Sequence, residues 1–200
     1  MNNYSSQLNR YLQLRNRALI SYHDALMNNE IDKMIKPILT SINAMSSYYS
    51  TSSCAGRIVL MQIPKIGDKK HALFLGKWHE PVRLKELKVS IEKYEKDQLW
   101  LLAQSPIFHI GAKDFEAADT MIHLGISSGL KHSTIKTMKD QIIIELLSTE
   151  RVDIPFGEQG ELYVTDEYLG FCLSIANKVL RRAQRKLKRL ENALTAFNIS

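Results

Sequence analysis

The run Leu99-Trp100-Leu101-Leu102-Ala103-Gln104-Ser105-Pro106-Ile107-Phe108-His109-Ile110-Gly111 decides the class of fold. It reads as one extended region interrupted at Pro106, because proline has no N–H to give a ladder and marks a strand edge or a bulge. Beyond the proline, alternation puts Phe108 and Ile110 on one face and Ile107 and His109 on the other. Upstream, Ile58–Ile63 and Ala72–Trp78 read as strands joined by a turn around Gly67-Asp68-Lys69-Lys70, followed by a helical stretch from Val82 to Tyr94. Downstream, Asp114 can cap a helix running to about Ser128, with Gly129 as its C-terminal stop. A further extended region, Ile135 to Leu147, is broken at Lys139-Asp140. Short strands at Val152–Phe156 and Glu161–Val164 flank Gly157 and Gly160.

Both ends of the chain are helical. From Tyr4 to Leu26, Leu8, Leu12, Leu19 and Leu26 recur at roughly helical spacing until Asn28-Asn29 breaks the pattern. A second helix carries Ile31, Met34, Ile35, Ile38, Leu39, Ile42 and Met45, with Pro37 predicting a kink or a late start. Thr165 caps a long last helix whose apolar stripe is Tyr168, Cys172, Ile175, Val179, Ala183, Leu187, Leu190, Leu194 and Phe197. The expected fold is therefore α+β: a mixed or antiparallel sheet core, helices at both termini and a long C-terminal helix. No fixed-period repeat, low-complexity tract or Gly/Ser-rich linker divides the chain, so one domain over residues 1–200 is expected.

Of the 200 residues, 44% are hydrophobic and 24% charged, a balance that buries a core and excludes disorder as the default. The net charge of +6 is compatible with a polyanionic partner. Cys54 and Cys172 are too few for a disulfide framework, and no CxxC pair offers a zinc site. A reduced, cytoplasmic setting without a metal is expected. The polar N-terminus lacks a signal-peptide core, and stretches such as Leu99–Ala103 and Ile142–Ile144 are too short to cross a bilayer.

Candidate chemistry concentrates in Tyr48-Tyr49-Ser50-Thr51-Ser52-Ser53-Cys54-Ala55-Gly56-Arg57. Hydroxyls, a thiol, a glycine and an arginine stand together, Gly56 permits close backbone approach, and Arg57 can fork two bonds to a carboxylate or phosphate. The plain alternative is a polar loop whose arginine pairs with a nearby acid. Ser53 is in no G-x-S-x-G elbow, and no spacing obliges His71, His79 or His109 to activate Ser53 or Cys54 as a nucleophile. In Lys77-Trp78-His79-Glu80-Pro81, Trp78 can stack on a base or sit near a sulfonium, or simply fill the core. His109 either faces a site or is a satisfied core histidine. Gly125 to Ser133 reads as a helix C-terminus entering a strand, and the chain has neither G-x-G-x-x-G nor a P-loop, so a Rossmann-type cofactor site has no motif behind it. In the last helix Lys178, Arg181, Arg182, Arg185, Lys186, Lys188 and Arg189 follow without an intervening acid. Lys178, Arg181, Arg182, Arg185 and Arg189 share a face and form a candidate phosphate-binding strip.

Together these segments resemble the tRNA wybutosine-synthesizing protein 3 family. The resemblance is carried by Tyr49 and Thr51 before Ser52-Ser53-Cys54-Ala55-Gly56-Arg57-Ile58, then Pro106-Ile107-Phe108-His109-Ile110, Ser128-Gly129, and Ser133 with Ile135. It continues through Ser148-Thr149 with Val152-Asp153-Ile154-Pro155, Val164-Thr165-Asp166-Glu167-Tyr168 and Ala176-Asn177-Lys178, in order from about residue 8 to 195. Ser105, Leu147 and Lys131-His132-Ser133-Thr134 depart from the family pattern. The resemblance implies transfer of a methyl group from S-adenosylmethionine to a ring nitrogen (N4) of the tricyclic base beside the anticodon of phenylalanine tRNA. It implies Ser52, Ser53, Cys54, Gly56, Arg57 and Trp78 at the cofactor, His79 or His109 as proton acceptor, and the anticodon loop as partner. A non-catalytic tRNA-binding protein, or an accessory partner of another wyosine-pathway enzyme, is the competing expectation.

Overall fold

The computed structural model describes residues 3–68 and 70–198, so Lys69 of the expected turn lies outside the described residues. In chain order the elements are α1 (Asn3–Met27), α2 (Lys36–Ala44), β1 (Tyr48–Cys54), β2 (Arg57–Ile63), β3 (Leu73–Trp78), α3 (Leu84–Ile91) and β4 (Gln98–Gln104). They continue as β5 (Ile107–Ala112), α4 (Phe115–Ser127), β6 (Thr134–Thr137), β7 (Ile142–Leu147), β8 (Val152–Glu158), β9 (Glu161–Leu162) and α5 (Asp166–Phe197). The chain forms two compact units. One comprises Met1–Ala55, Pro106–Thr149 and Gln184–Ser200; the other comprises Gly56–Ser105 and Glu150–Ala183.

The first unit is built on a four-stranded antiparallel sheet of order β1-β5-β7-β6. Phe108 and Ile110 of β5 are fully buried with Ile144 and Leu146 of β7, Ile38 and Ile42 of α2, and Leu187, Leu190 and Leu194 of α5. Their alternation with half-exposed Ile107 and His109 is as the sequence predicts. The second unit carries a five-stranded antiparallel sheet of order β3-β2-β4-β8-β9. Ile58, Leu60, Leu99, Leu101 and Phe156 form its core with Leu87 of α3 and Leu173, Ala176 and Leu180 of α5.

Three expectations change. The region around Pro106 is not one interrupted strand. β4 pairs with β2 and β8, while β5 pairs with β1 and β7, and Pro106 stands where the chain leaves one unit for the other. The hydroxyl-rich segment is the strand β1 rather than a loop. Buried Ser50 is satisfied from outside the ladder: Asn43 Oδ1 accepts from Ser50 N at 2.8 Å, and Asn43 Nδ2 donates to Ser50 Oγ at 2.9 Å. In the first half of α5 the buried stripe is Leu169, Cys172, Leu173, Ala176 and Leu180, whereas Tyr168 is exposed and Ile175 and Val179 only half-buried. Apolar residues lie side by side there, so spacing alone leaves the stripe's centre one position uncertain.

Helix boundaries follow local chemistry. α2 starts late because Pro37 fits only its first turn. α3 is confined to Leu84–Ile91, with the Arg83 N–H bound by Glu86 Oε2 at 2.8 Å. Asp114 Oδ1 accepts from Ala117 N at 2.9 Å to cap α4, and Gly129, at φ +102°, ends it. Thr165 Oγ1 accepts from Tyr168 N at 3.3 Å at the start of α5. Among the described residues no helix is long and apolar enough to cross a membrane.

Candidate functional site

In the four-stranded unit, β1 and β5 run antiparallel with a register shift between Ser50 and Ser53. That irregularity turns Ser52 towards the His109 side of the sheet, where Ser52 Oγ lies 2.7 Å from His109 Nδ1. On the other side of the ring, His109 Nε2 lies 2.6 Å from Glu145 Oε2. Glu145 reaches it because β7 sets His109 directly opposite Glu145. Lys136 of β6 also bonds the Glu145 carboxylate, and its Nζ is 2.9 Å from His109 Nε2. A carboxylate only accepts and an ammonium only donates, so the Glu145 contact calls for a proton on His109 Nε2 and the Lys136 contact for a lone pair there; with the proton on Nε2, Nδ1 accepts from the Ser52 hydroxyl. The Lys136 ammonium, and then His109, hold the Glu145 carboxyl below the usual glutamate range against the opposing effect of burial. His109 and Glu145 side chains are only 19% and 17% exposed, whereas Ser52 is open to solvent.

The same strand walls a cavity of about 530 Å³. Ser50, Thr51, Ser52 and Ser53 face Arg17 and Ser21 of α1 and Glu30 and Asp32 of the α1–α2 connection across it. Ser53 Oγ is buried and has no hydrogen-bond partner among the described residues. Asp32 Oδ2 accepts from Ala55 N at 3.1 Å and holds the strand's end. Cys54 is a half-buried free thiol. The cavity thus offers hydroxyls, one guanidinium and two carboxylates to a small zwitterion.

The second unit holds the other predicted residues. Gly56 has φ +82°, a conformation open to glycine at little cost, and its carbonyl lies 3.0 Å from His79 Nδ1. Because a carbonyl only accepts, His79 is protonated on Nδ1. Among the described residues Arg57 meets no acid. Its Nε donates to Gln104 Oε1 at 2.8 Å, and its guanidinium lies 5.5 Å from the centre of the Phe74 ring. Trp78, half-buried at the end of β3, packs against the core with its ring over Gly76.

Along α5, Lys178, Arg181, Arg185 and Arg189 are not buried and make no ion pair among the described residues. Arg182 differs, since its Nε donates at 2.9 Å to Glu150, whose side chain is 4% exposed. Lys186 is buried, its stem against Gly129. The structure therefore brings Ser52 to His109, and Gly56 to His79. It adds Glu145, Lys136, Arg17 and Glu30, none of which the sequence singles out. A lone carboxylate within Ile142-Ile143-Ile144-Glu145-Leu146-Leu147 is the available signal for Glu145; its partners depend on strand order.

A sequence model described as Methyltransferase TYW3 matches residues 9–196. A Pyrococcus horikoshii protein named tRNA(Phe) 7-((3-amino-3-carboxypropyl)-4-demethylwyosine(37)-N(4))-methyltransferase 1 is 45% identical over 185 residues, covering 92% of this chain and 94% of that one. A Methanocaldococcus jannaschii methyltransferase of the same name, without the final numeral, is 40% identical over 186 residues, covering 92% and 96%. The structure of the PH1069 protein from Pyrococcus horikoshii superposes with a TM-score of 0.90 at 44% identity, covering 94% of this chain and 97% of that one.

Proposed function

Because the chain belongs to the Methyltransferase TYW3 family, we propose that it methylates the N4 ring nitrogen of 7-(3-amino-3-carboxypropyl)-4-demethylwyosine at position 37 of phenylalanine tRNA, with S-adenosylmethionine as donor. The observation that carries the reading is the hydroxyl-lined cavity of β1 with the Ser52–His109 pair joining that strand to β5. S-adenosylmethionine supplies a sulfonium methyl to in-line attack by nitrogen, chemistry that needs alignment of the reactants more than a strong base. The residues present fit such a ligand. Buried Ser53 Oγ lacks a partner among the described residues, and Arg17 and Glu30 offer opposite charges to an amino acid's carboxylate and ammonium.

Ser52, Ser53, Cys54, Gly56, Arg57 and Trp78 bind the cofactor in this reading. Arg57 keeps its terminal amino groups for a carboxylate, of the methionine moiety or of the base's side chain, while Gln104 occupies its Nε. His79 or His109 accepts the nitrogen's proton. The setting is the cytoplasm, and the partner is the anticodon loop. We propose that the two units act together as one methyltransferase domain over residues 1–200, since the chain passes between them four times, after Ala55, Ser105, Thr149 and Ala183.

Lys178, Arg181, Arg185 and Arg189 bind the tRNA backbone, and Arg182 shares that face while also serving Glu150. Every phosphate the helix no longer neutralises lowers the slope of log K against log salt by roughly 0.7 to 0.9. Replacing Arg181 and Arg185 by glutamine flattens the slope at unchanged stability, and adding Arg182→Gln lowers stability as well. tRNA affinity across a salt series, alongside thermal melts, measures both; an unchanged slope means the strip is only solvated surface.

Incubating the protein with under-methylated phenylalanine tRNA and S-adenosylmethionine, then weighing the nucleosides, tests the function. A base one methyl group heavier supports it. tRNA binding without any mass change supports the non-catalytic or accessory reading instead.

A further inference from the structure

We propose that Ser52, His109 and Glu145 form a proton relay in which Ser52 Oγ meets the substrate nitrogen, His109 Nδ1 is the final acceptor, and Glu145 is a positioning residue. The proposal rests on the methyl-transfer reading and deepens it, because it selects between the two histidines and adds residues that neither the sequence motif nor the family match assigns.

Three observations carry it. First, the ring is held from both sides. With its proton on Nε2, donated to Glu145 Oε2 at 2.6 Å, the ring directs the lone pair of Nδ1 to Ser52 Oγ at 2.7 Å. Second, exposure is graded in the direction a relay needs. Ser52 is exposed and also borders the 530 Å³ cavity, whereas His109 and Glu145 lie behind it. Third, the acid is kept ionised. Lys136 bonds Glu145 and favours its charged form, so an anion faces the ring that is to become cationic, with the Lys136 ammonium 2.9 Å from Nε2 as the opposing charge. Thr51 Oγ1 also donates to the His109 carbonyl at 3.1 Å, tying β1 to β5 beside the relay.

The step balances. The ring nitrogen's lone pair forms the N–CH3 bond as the S–CH3 bond breaks and its electrons return to sulfur, leaving S-adenosylhomocysteine. The nitrogen's proton passes to Ser52 Oγ while the Ser52 proton passes to His109 Nδ1. The sulfonium's positive charge is thereby exchanged for an imidazolium between Ser52 and Glu145, and the methylated base is neutral. His79 is set differently: its Nδ1 is engaged by the Gly56 carbonyl, so the ring ties down the turn at the start of β2.

Nitrogen-15 NMR of the histidine rings in the full-length protein reads the positioning directly, without turnover. The wild type shows His109 as the Nε2–H tautomer. Glu145→Gln, whose amide oxygen still accepts, retains it, and Glu145→Ala loses it. In methyl transfer, Glu145→Ala lowers kcat by about tenfold, less than the hundredfold or more expected for removing the base itself with His109→Ala. KM for tRNA and cofactor stays within about twofold, because Glu145 touches neither ligand. Ser52→Ala, at an exposed position where folding is not at stake, also lowers kcat. An Nδ1–H tautomer in the wild type, or full kcat in both Glu145→Ala and Ser52→Ala, overturns the relay while leaving the methyl-transfer reading standing. A wild type that binds tRNA and cofactor yet transfers no methyl overturns that reading, and the relay with it.

Discussion

The four-stranded and five-stranded sheets share an antiparallel ladder and an apolar core on one face, but use polar side chains differently. In the five-stranded sheet polar residues pair without committing buried charge: Arg57 bonds neutral Gln104, and buried Gln62 lies near Asp97. In the four-stranded sheet a carboxylate, an ammonium and an imidazole meet on adjacent strands, with a hydroxyl in front of them. The two histidines show the same contrast: His79 Nδ1 meets a backbone carbonyl, whereas His109 Nε2 meets a carboxylate and an ammonium. A backbone carbonyl locks a ring in place, whereas a carboxylate locks it and also stabilises the cation it can become. The difference concentrates interacting charges on one sheet and leaves neutral pairs on the other.

Core truncation gives the largest expected effect. Phe108 and Phe156 are both fully buried, each in the core of its own unit. Phe108→Ala and Phe156→Ala each cost about 3–5 kcal/mol. Hydrogen exchange shows protection lost first in β5 and β7 for Phe108→Ala, and first in β2 and β4 for Phe156→Ala. Equal losses in both sheets from either change would erase the distinction between the units.

A smaller effect compares two glycines that each lie under an aromatic ring. A Cβ on Gly111 would stand 2.0 Å from the Tyr49 ring, and one on Gly76 would stand 2.1 Å from the Trp78 ring. Tyr49 is 2% exposed and its hydroxyl donates to Gln141 Oε1 at 2.8 Å, so it cannot swing aside. Trp78 is half-buried at a strand end and can move. Gly111→Ala therefore costs about 2–3 kcal/mol and Gly76→Ala about 1 kcal/mol, within the range of overpacking. Chemical denaturation of both variants measures the order, and a reversed order would mean Trp78 is the more tightly held ring.

The smallest effect concerns acid. The Glu145 carboxyl is held below its ordinary value of 4.5, so its contribution to stability is complete above that value and is lost as pH falls through the lower, folded value. Wild type exceeds Glu145→Gln in stability at neutral pH by up to about 1 kcal/mol, and the gap closes below about pH 4.5. Denaturant midpoints at a series of pH values follow it. A constant gap would place the stabilisation elsewhere than in the ionised carboxylate.

Much of the fold is legible in the sequence because alternation and capping are local. The inward face of β5, the Asp114 cap, the Gly129 stop and the late start of α2 at Pro37 all follow from neighbours in sequence. β1 is not legible, since four consecutive hydroxyl residues show no alternation and the Asn43 side chain that satisfies Ser50 lies outside the strand. At Pro106 a proline signals interruption but not the change of sheet, because strand order is a long-range property. The same limit hides Glu145 and Lys136. His109 is recognisable from its motif, while its partners come from strands that become neighbours only in the order β1-β5-β7-β6. Arg182 stands in a uniform basic run, and only the structure separates it, through Glu150, from the cations around it.

The most direct test is a single-turnover reaction with trideuteromethyl S-adenosylmethionine and phenylalanine tRNA bearing the aminocarboxypropyl-demethylwyosine base, followed by fragmentation of the isolated nucleoside. One trideuteromethyl group on the N4 ring nitrogen, and none on the side-chain carboxylate or amine, is the predicted result. A label on the side chain, or an unlabelled base recovered from tRNA that the protein demonstrably binds, would contradict it.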